Sequence, residues 1–164
     1  ADIFMSIGTA GFRQESDTAI YEMQIDNAMA LNEKLPPIKG IYYFSYACDA
    51  TILADDGTRS LDPELGGGMY KVSGARLCTY EGVTPSGYVI DEKWQANDGL
   101  VNTYSALVPI GAPSVDYNAD SVTTGIWNVM PVMRGNHSTL QGGMTKALNG
   151  RIFFVDLLSM INSL

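Results

Sequence analysis

Apolar and polar positions repeat with two different periods along this 164-residue chain. Residues 2–10 (DIFMSIGTA) read as a short, half-buried strand. From Asp17 to Lys34 the period lengthens to that of a helix. Asp17 or Thr18 can cap it, Ile20, Met23, Asn27 and Leu31 fall near one face, and Pro36-Pro37 stop it. Ile41 to Tyr46 (IYYFSY) is the strongest strand signal, rich in aromatic and branched side chains. Asp49 to Tyr70 reads as loop, broken by Asp55-Asp56-Gly57 and Gly66-Gly67-Gly68. Gly82 to Asn97 reads as irregular. Leu100 to Ile110 suits a strand or a helix equally. Gly111 to Asp120 is a polar connector. Gly125 to Met133 predicts a strand that Pro131 places at a sheet edge or ends early. Arg134 to Gly143 is a glycine-rich loop. Lys146 to Leu164 predicts a final helix, apolar almost all round (Leu148, Ile152, Phe153, Phe154, Val155, Leu158, Ile161), of the kind usually buried on both sides.

Strand and helix alternation predicts an α/β protein, taken as one domain over residues 1–164. Three strands and two helices are too few to cover an open sheet on both faces, so the pattern describes part of a fold. The chain opens on ADIFMSIG, with no initiator Met, basic leader or cleavage-site pattern, and is expected to be processed or cut from something longer.

A hydrophobic share of 46% against 17% charged residues is enough for a real core. The net charge of -8 argues against nucleic acid as a partner. No apolar run reaches the ~20 residues of a membrane span. Cys48 and Cys78 sit in no Cys-x-x-Cys motif; they read as two buried thiols, or as one disulfide.

His137, the single histidine, lies in RGNHSTLQGG just after a predicted strand. A general base needs such a loop, free to turn toward a cleft; a plain structural role is the rival reading. Asp98 lies in WQANDGLVN, where Asn97-Asp98-Gly99 is equally a turn tripeptide and a seat for an acid that orients an imidazole. The two are 39 residues apart, room for a connector and a strand. No serine has glycine both two before and two after it, and neither cysteine has the elbow pattern, so a nucleophile is missing. One histidine and two separate cysteines cannot make a standard zinc site, and Asp55-Asp56-Gly57 lacks the acids of a calcium loop. There is no P-loop and no dinucleotide fingerprint. Trp94 and Trp127 read as core anchors before ligand platforms. Met130 and Met133 read as core, or as a soft wall for an acyl chain.

Trp94-Gln-Ala-Asn97-Asp98-Gly99-Leu-Val-Asn102 resembles the acid-bearing segment of the secreted true lipases of bacilli and staphylococci, which are α/β-hydrolases. Gly125-Ile-Trp127 resembles that family's Gly-x-Trp strand, followed by the loop that carries its histidine. There Asn136 stands in place of an aspartate. Upstream, Asp17 to Tyr21, Leu31-Asn32, Tyr42 to Ser45 and Pro63 to Gly66 extend the resemblance.

The resemblance implies a partial α/β-hydrolase fold, its C-terminal strands and helices, completed by an N-terminal portion not in this chain. It implies a secreted triacylglycerol lipase or esterase. Asp98 would be the triad acid and His137 the base, with the serine on an N-terminal segment or partner chain. The substrate would be an acylglycerol or other ester at a lipid–water interface. No cofactor is required for that chemistry. The family's structural zinc uses the aspartate that Asp17 matches, with ligands from its N-terminal half. Its calcium uses the backbone at the position of Gly66 and acids after the histidine, where Thr139 and Met144 stand here. Both metals would thus find their ligand positions largely missing. The alternative is a non-catalytic binding or structural subunit that kept a degenerate lipase fold.

Overall fold

The computed structural model describes residues 19–142 and 149–164. The strand expected at residues 2–10, the caps Asp17 and Thr18, and Met144 lie outside them, as does the side chain of Ile20.

The first predicted helix forms as two. Helix α1 (Ala19–Glu22) and helix α2 (Ile25–Lys34) are separated at Met23 and Gln24. Gln24 takes an extended conformation at the head of α2. The Asn27 amide donates to the freed Tyr21 carbonyl at 2.9 Å and to Gln24 Oε1 at 3.0 Å. Its position on the expected apolar face is thus explained by the break it bridges. The expected strand at Ile41 to Tyr46 contains β1 (Tyr43–Ser45), and β2 (Cys48–Asp49) continues its line after two residues.

Asp49 to Tyr70 is more ordered than a loop. Strands β3 (Thr51–Leu53) and β4 (Arg59–Leu61) form a hairpin. Asp56 closes its turn through the Thr58 N–H and hydroxyl. Helix α3 (Tyr70–Leu77) comes next and has no counterpart in the hydropathy pattern. Gly82 to Asn97 likewise contains a hairpin, β5 (Gly82–Val83) with β6 (Val89–Ile90), and a 3-10 turn at Glu92–Trp94. Between Leu100 and Ile110 the helical alternative holds, as α4 (Thr103–Leu107). The polar connector hides β7 (Ser114–Asp116). Then come β8 (Trp127–Val129), β9 (Met133–Arg134) and the last helix, α5 (Gly150–Asn162).

The sheet runs β1-β8-β7, all parallel. Strand β8 is therefore central and ends at Val129, two residues before Pro131, so of the two alternatives the early end holds and the edge position does not. Tyr43 pairs with Trp127 and Ser45 with Val129, and beyond the proline Cys48 pairs with Met133. The partner strand has gained one residue across Met130 to Val132. This is a bulge, where a proline's missing N–H does no harm.

Helix α2 and Tyr43 and Trp127 face a common groove on one side of the sheet. On the other, Phe153 of α5 meets Tyr46 edge-on at 5.3 Å. The expectation that α5 is buried on both sides is corrected: Ile152, Val155, Leu158 and Ile161 are each half or more exposed. One layer covers this helix here, and its outer apolar face has none among the described residues. No helix among the described residues is long and apolar enough to cross a membrane.

Helix α3 lies directly on the turn at residues 97–99. A Cβ on Gly74 would fall 2.6 Å from Leu61 Cδ2 and 2.9 Å from Gly99 Cα, so nothing larger than glycine fits between helix and turn. The Ser73 hydroxyl donates to the Gly99 carbonyl at 2.6 Å, and the Asn97 amide donates to the Gly74 carbonyl at 3.3 Å. A second tie joins α2 to the β5–β6 hairpin. Asp26 accepts from the Thr84 and Ser86 hydroxyls, both at 2.6 Å, and from the Ser86 N–H at 2.9 Å.

Each of these contacts has a measurable consequence. Gly74→Ala should destabilise the chain by about 1–3 kcal/mol through overpacking, measured by urea unfolding. A loss of only a few tenths would mean that the helix is free to back away from the turn. The Ser86 and Thr84 hydroxyls also hold the Asp26 carboxyl below its ordinary 3.8. The tie is then fully present above that value and is lost as pH falls through the lower value of the folded chain. The Ser86 amide shift, followed by NMR on acidification, should inflect below pH 3.8; an inflection above it would contradict the tie.

Candidate active site

The Asn97-Asp98-Gly99 turn is built before it does any chemistry. Asn97 is fully buried. Its side-chain oxygen accepts from the Gly99 N–H at 2.8 Å and its amide donates to the Gln95 carbonyl at 2.9 Å. Gly99 has φ +98°, a region that glycine enters without strain. Asp98 Oδ1 accepts two backbone N–H bonds, from Leu100 at 2.9 Å and Val101 at 2.8 Å. That leaves Oδ2, which lies 2.9 Å from His137 Nδ1. The backbones agree: the His137 N–H donates to the Asp98 carbonyl at 2.9 Å.

The structure thus brings together the two residues singled out in the sequence. The Asp98 side chain is 13% exposed and that of His137 32%. The acid is enclosed and the imidazole reaches the surface. An ionised carboxylate only accepts, so against one a neutral imidazole in this position would carry its proton on Nδ1 and leave the Nε2 lone pair free.

The histidine loop has its own frame. β9 delivers it, and the Gly135 N–H donates to the Asp49 carbonyl at 3.0 Å. A Cβ on Gly135 would fall 2.8 Å from Thr139, so only glycine fits. The Asn136 N–H donates to Thr139 Oγ1 at 2.9 Å, and Asn136 Nδ2 donates to the Leu65 carbonyl at 3.0 Å. Arg134 pairs with buried Asp62 and, at 2.7 Å, with Glu64. These bonds lock the histidine loop to residues 62–66.

The same bonds test the calcium site that the resemblance implies near Gly66. A cation there would need converging oxygens, preferably with carboxylates among them. The Leu65 carbonyl instead faces an amide N–H, and Thr139 is hydrogen-bonded within its own loop. Among the described residues no three His, Cys, Asp or Glu side chains gather to hold an ion. Of the positions the resemblance names, Thr139 is engaged within its own loop and Met144 lies outside the described residues. Asp17, the zinc counterpart, lies outside the described residues.

Cys48 and Cys78 are free and buried, which is the two-thiol alternative. Burial, helped by the charges of Asp98 and Asp49, pushes the Cys48 thiol up to about 11. Burial also raises Cys78. Such thiols are poor nucleophiles. Trp94 is buried between Tyr88 and Tyr104, as a core anchor. Met130 and Met133 line a groove of about 530 Å³ between the sheet and α5, with Tyr46, Tyr117, Phe153 and Leu157. Tyr46, Tyr117 and Met130 each come directly after one of the three parallel strands. Open α/β sheets bind ligands at that end.

Sequence reasoning missed the neighbours of the pair. Tyr70 and Ser138 meet beside His137, and nothing in the local sequence of either marks it.

No protein-family model matches the chain. It is 30% identical to the lipase of Staphylococcus hyicus over 151 residues, which is 90% of this chain and 22% of that protein. The crystal structure of that organism's lipase superposes with a TM-score of 0.72 at 25% identity, over 91% of this chain and 37% of that one. Lipase 1 from Pelosinus fermentans gives 0.68 at 28% identity, over 84% of this chain and 37% of that one. EstA from Clostridium botulinum gives 0.82 at 24% identity, over 99% of this chain and 38% of that one, a likeness of fold. The chain spans about a fifth of the length of the curated relative. In sequence it is similar to the lipase of Staphylococcus hyicus, and in fold to bacterial lipases and an esterase, each of which it spans only in part.

Proposed function

We propose that this chain supplies the acid and base of a carboxylic-ester hydrolase, and that an N-terminal segment or partner chain supplies the serine. The observation that carries the reading is the 2.9 Å contact between Asp98 Oδ2 and His137 Nδ1, with Oδ1 already held by two backbone N–H groups. A carboxylate fixed in this way can orient one imidazole tautomer and stabilise the imidazolium that forms.

In the proposed reaction the incoming serine hydroxyl attacks the ester carbonyl carbon, and His137 Nε2 takes its proton. The tetrahedral intermediate collapses, and the same proton passes to the leaving alcohol. Water then attacks the acyl-enzyme with His137 again as base. The oxyanion donors also lie outside this chain in this reading. An acylglycerol or similar ester suits the apolar groove that Met130 and Met133 line. The exposed apolar face of α5 is where the rest of the fold would pack. Like the secreted lipases it resembles, the assembly would act outside the cell.

The test is mutation in an assembly that hydrolyses p-nitrophenyl esters. His137→Ala should abolish turnover, and Asp98→Asn should lower it by about 10³–10⁴-fold, with the imidazole left in the wrong tautomer. Unchanged rates in both would favour a binding subunit with a lipase-like fold. The chain alone should show no esterase activity, and a fluorophosphonate probe should leave it unlabelled. Labelling of this polypeptide would contradict the outside origin of the serine.

A further inference from the structure

Tyr70 opens helix α3 and touches the segments of both Asp98 and His137. Its hydroxyl lies 2.5 Å from Ser138 Oγ, on the residue next after the histidine. Its ring stands edge-on to the imidazole, with centroids 6.3 Å apart and planes at 62°. Its Cβ lies against Gly99, the residue next after the acid; a Cβ there would come within 2.6 Å. Asp98 Oδ2 fixes only one edge of the imidazole. A ring held at one edge can still swing about that bond, and the loop that bears it can drift.

We propose that Tyr70 is a positioning residue for His137: its hydroxyl pins the histidine loop through Ser138 while its ring walls the imidazole into line with Asp98. This rests on the proposed function in so far as a line-up with Asp98 matters for proton transfer. The geometry favours it over simple helix packing. Met69, just before α3, and Val72, in its first turn, are largely exposed, while Tyr70 turns in toward the pair. The Ser138 N–H donates to Asn136 Oδ1 at 3.1 Å, which holds the residue within its loop, and its hydroxyl meets that of Tyr70. The Tyr70–Ser138 bond joins parts of the chain 68 residues apart, across the site.

The single histidine makes the test direct. Nitrogen NMR of its imidazole at alkaline pH reads the balance of the two neutral tautomers without any assay of activity. The unaltered chain should show the Nδ1–H form. Tyr70→Phe keeps the ring and removes the hydroxyl. Ser138→Ala removes the other end of the same bond. Each should raise the share of the Nε2–H tautomer about fivefold, the effect of losing one hydrogen bond, and the double variant should do no more than either alone. Tyr70→Leu, which also removes the ring, should shift the imidazole carbon-bound protons further, through loss of the ring's edge contact.

Imidazole signals unchanged in Tyr70→Phe would overturn the inference, and so would a lowered melting temperature as the sole effect. A control separates this from the larger reading. If Asp98→Asn changes the tautomer balance while Tyr70→Phe does not, the acid–base pair stands and Tyr70 is only packing. If the unaltered chain lacks the Nδ1–H form, the pair fails and Tyr70 fails with it.

Discussion

A carboxylate offers two oxygens, and this fold depends on how the two are divided. One oxygen of Asp98 is consumed by backbone amides inside its own turn. That fixes the plane of the carboxyl and lowers the rotational freedom the other oxygen would otherwise have. The second oxygen then lies where the imidazole meets it. Turn geometry and site geometry are the same set of bonds. This is why helix α3 sits so close beneath the turn: the Gly74 contact, the Ser73 hydroxyl and buried Asn97 leave the turn no other position.

The same identity explains how much of the site was legible in the sequence. Asn97-Asp98-Gly99 could be read as a turn or as the seat of an acid, and these looked like rivals. The structure shows the turn, in which Asn97 accepts from Gly99 and glycine takes positive φ, and the same turn sets Asp98 beside His137. A single histidine after a strand was equally easy to find. Tyr70 was not, because its proposed role depends on Gly99 and Ser138, which are distant in the chain and ordinary in type. Helix α3 was hidden for a related reason. YKVSGARL carries a glycine at its centre and no apolar stripe, since its buried side is made of Ser73, Gly74 and Leu77 for close approach to backbone. Small residues that permit contact leave no hydrophobic signal.

Strand β7 and the hairpins were lost through length. Two or three residues cannot show a period of two, and all of β7 is exposed. Pro131 offered two alternatives, and the early end is the one that holds. A proline inside a strand pattern implies an edge when the ladder is regular. Here the ladder is broken by one extra residue, and pairing resumes at Met133 on the far side. The bulge bends the strand at the point where it leaves the main sheet for the site. The proline therefore marks where the strand is re-aimed, and His137 lies a short way beyond it.

The last helix shows a mismatch of another kind. Its sequence has the all-round apolar character of a doubly buried helix, yet the described residues cover one side. Side-chain chemistry is selected by the environment of the whole fold, and the described residues do not supply that environment on the outer face of this helix. Ile152, Val155, Leu158 and Ile161 would each gain about 1–2 kcal/mol on burial. Together these form a driving force comparable with the net stability of a small domain. A chain that matches over a third of its structural relatives' length carries that unspent hydrophobic face. It also carries an imidazole that meets Asp98 through Nδ1. Both features belong to the same fragment of sheet, one asking for packing and the other for a hydroxyl. Under the proposed function, one N-terminal portion would supply both the packing layer and the hydroxyl.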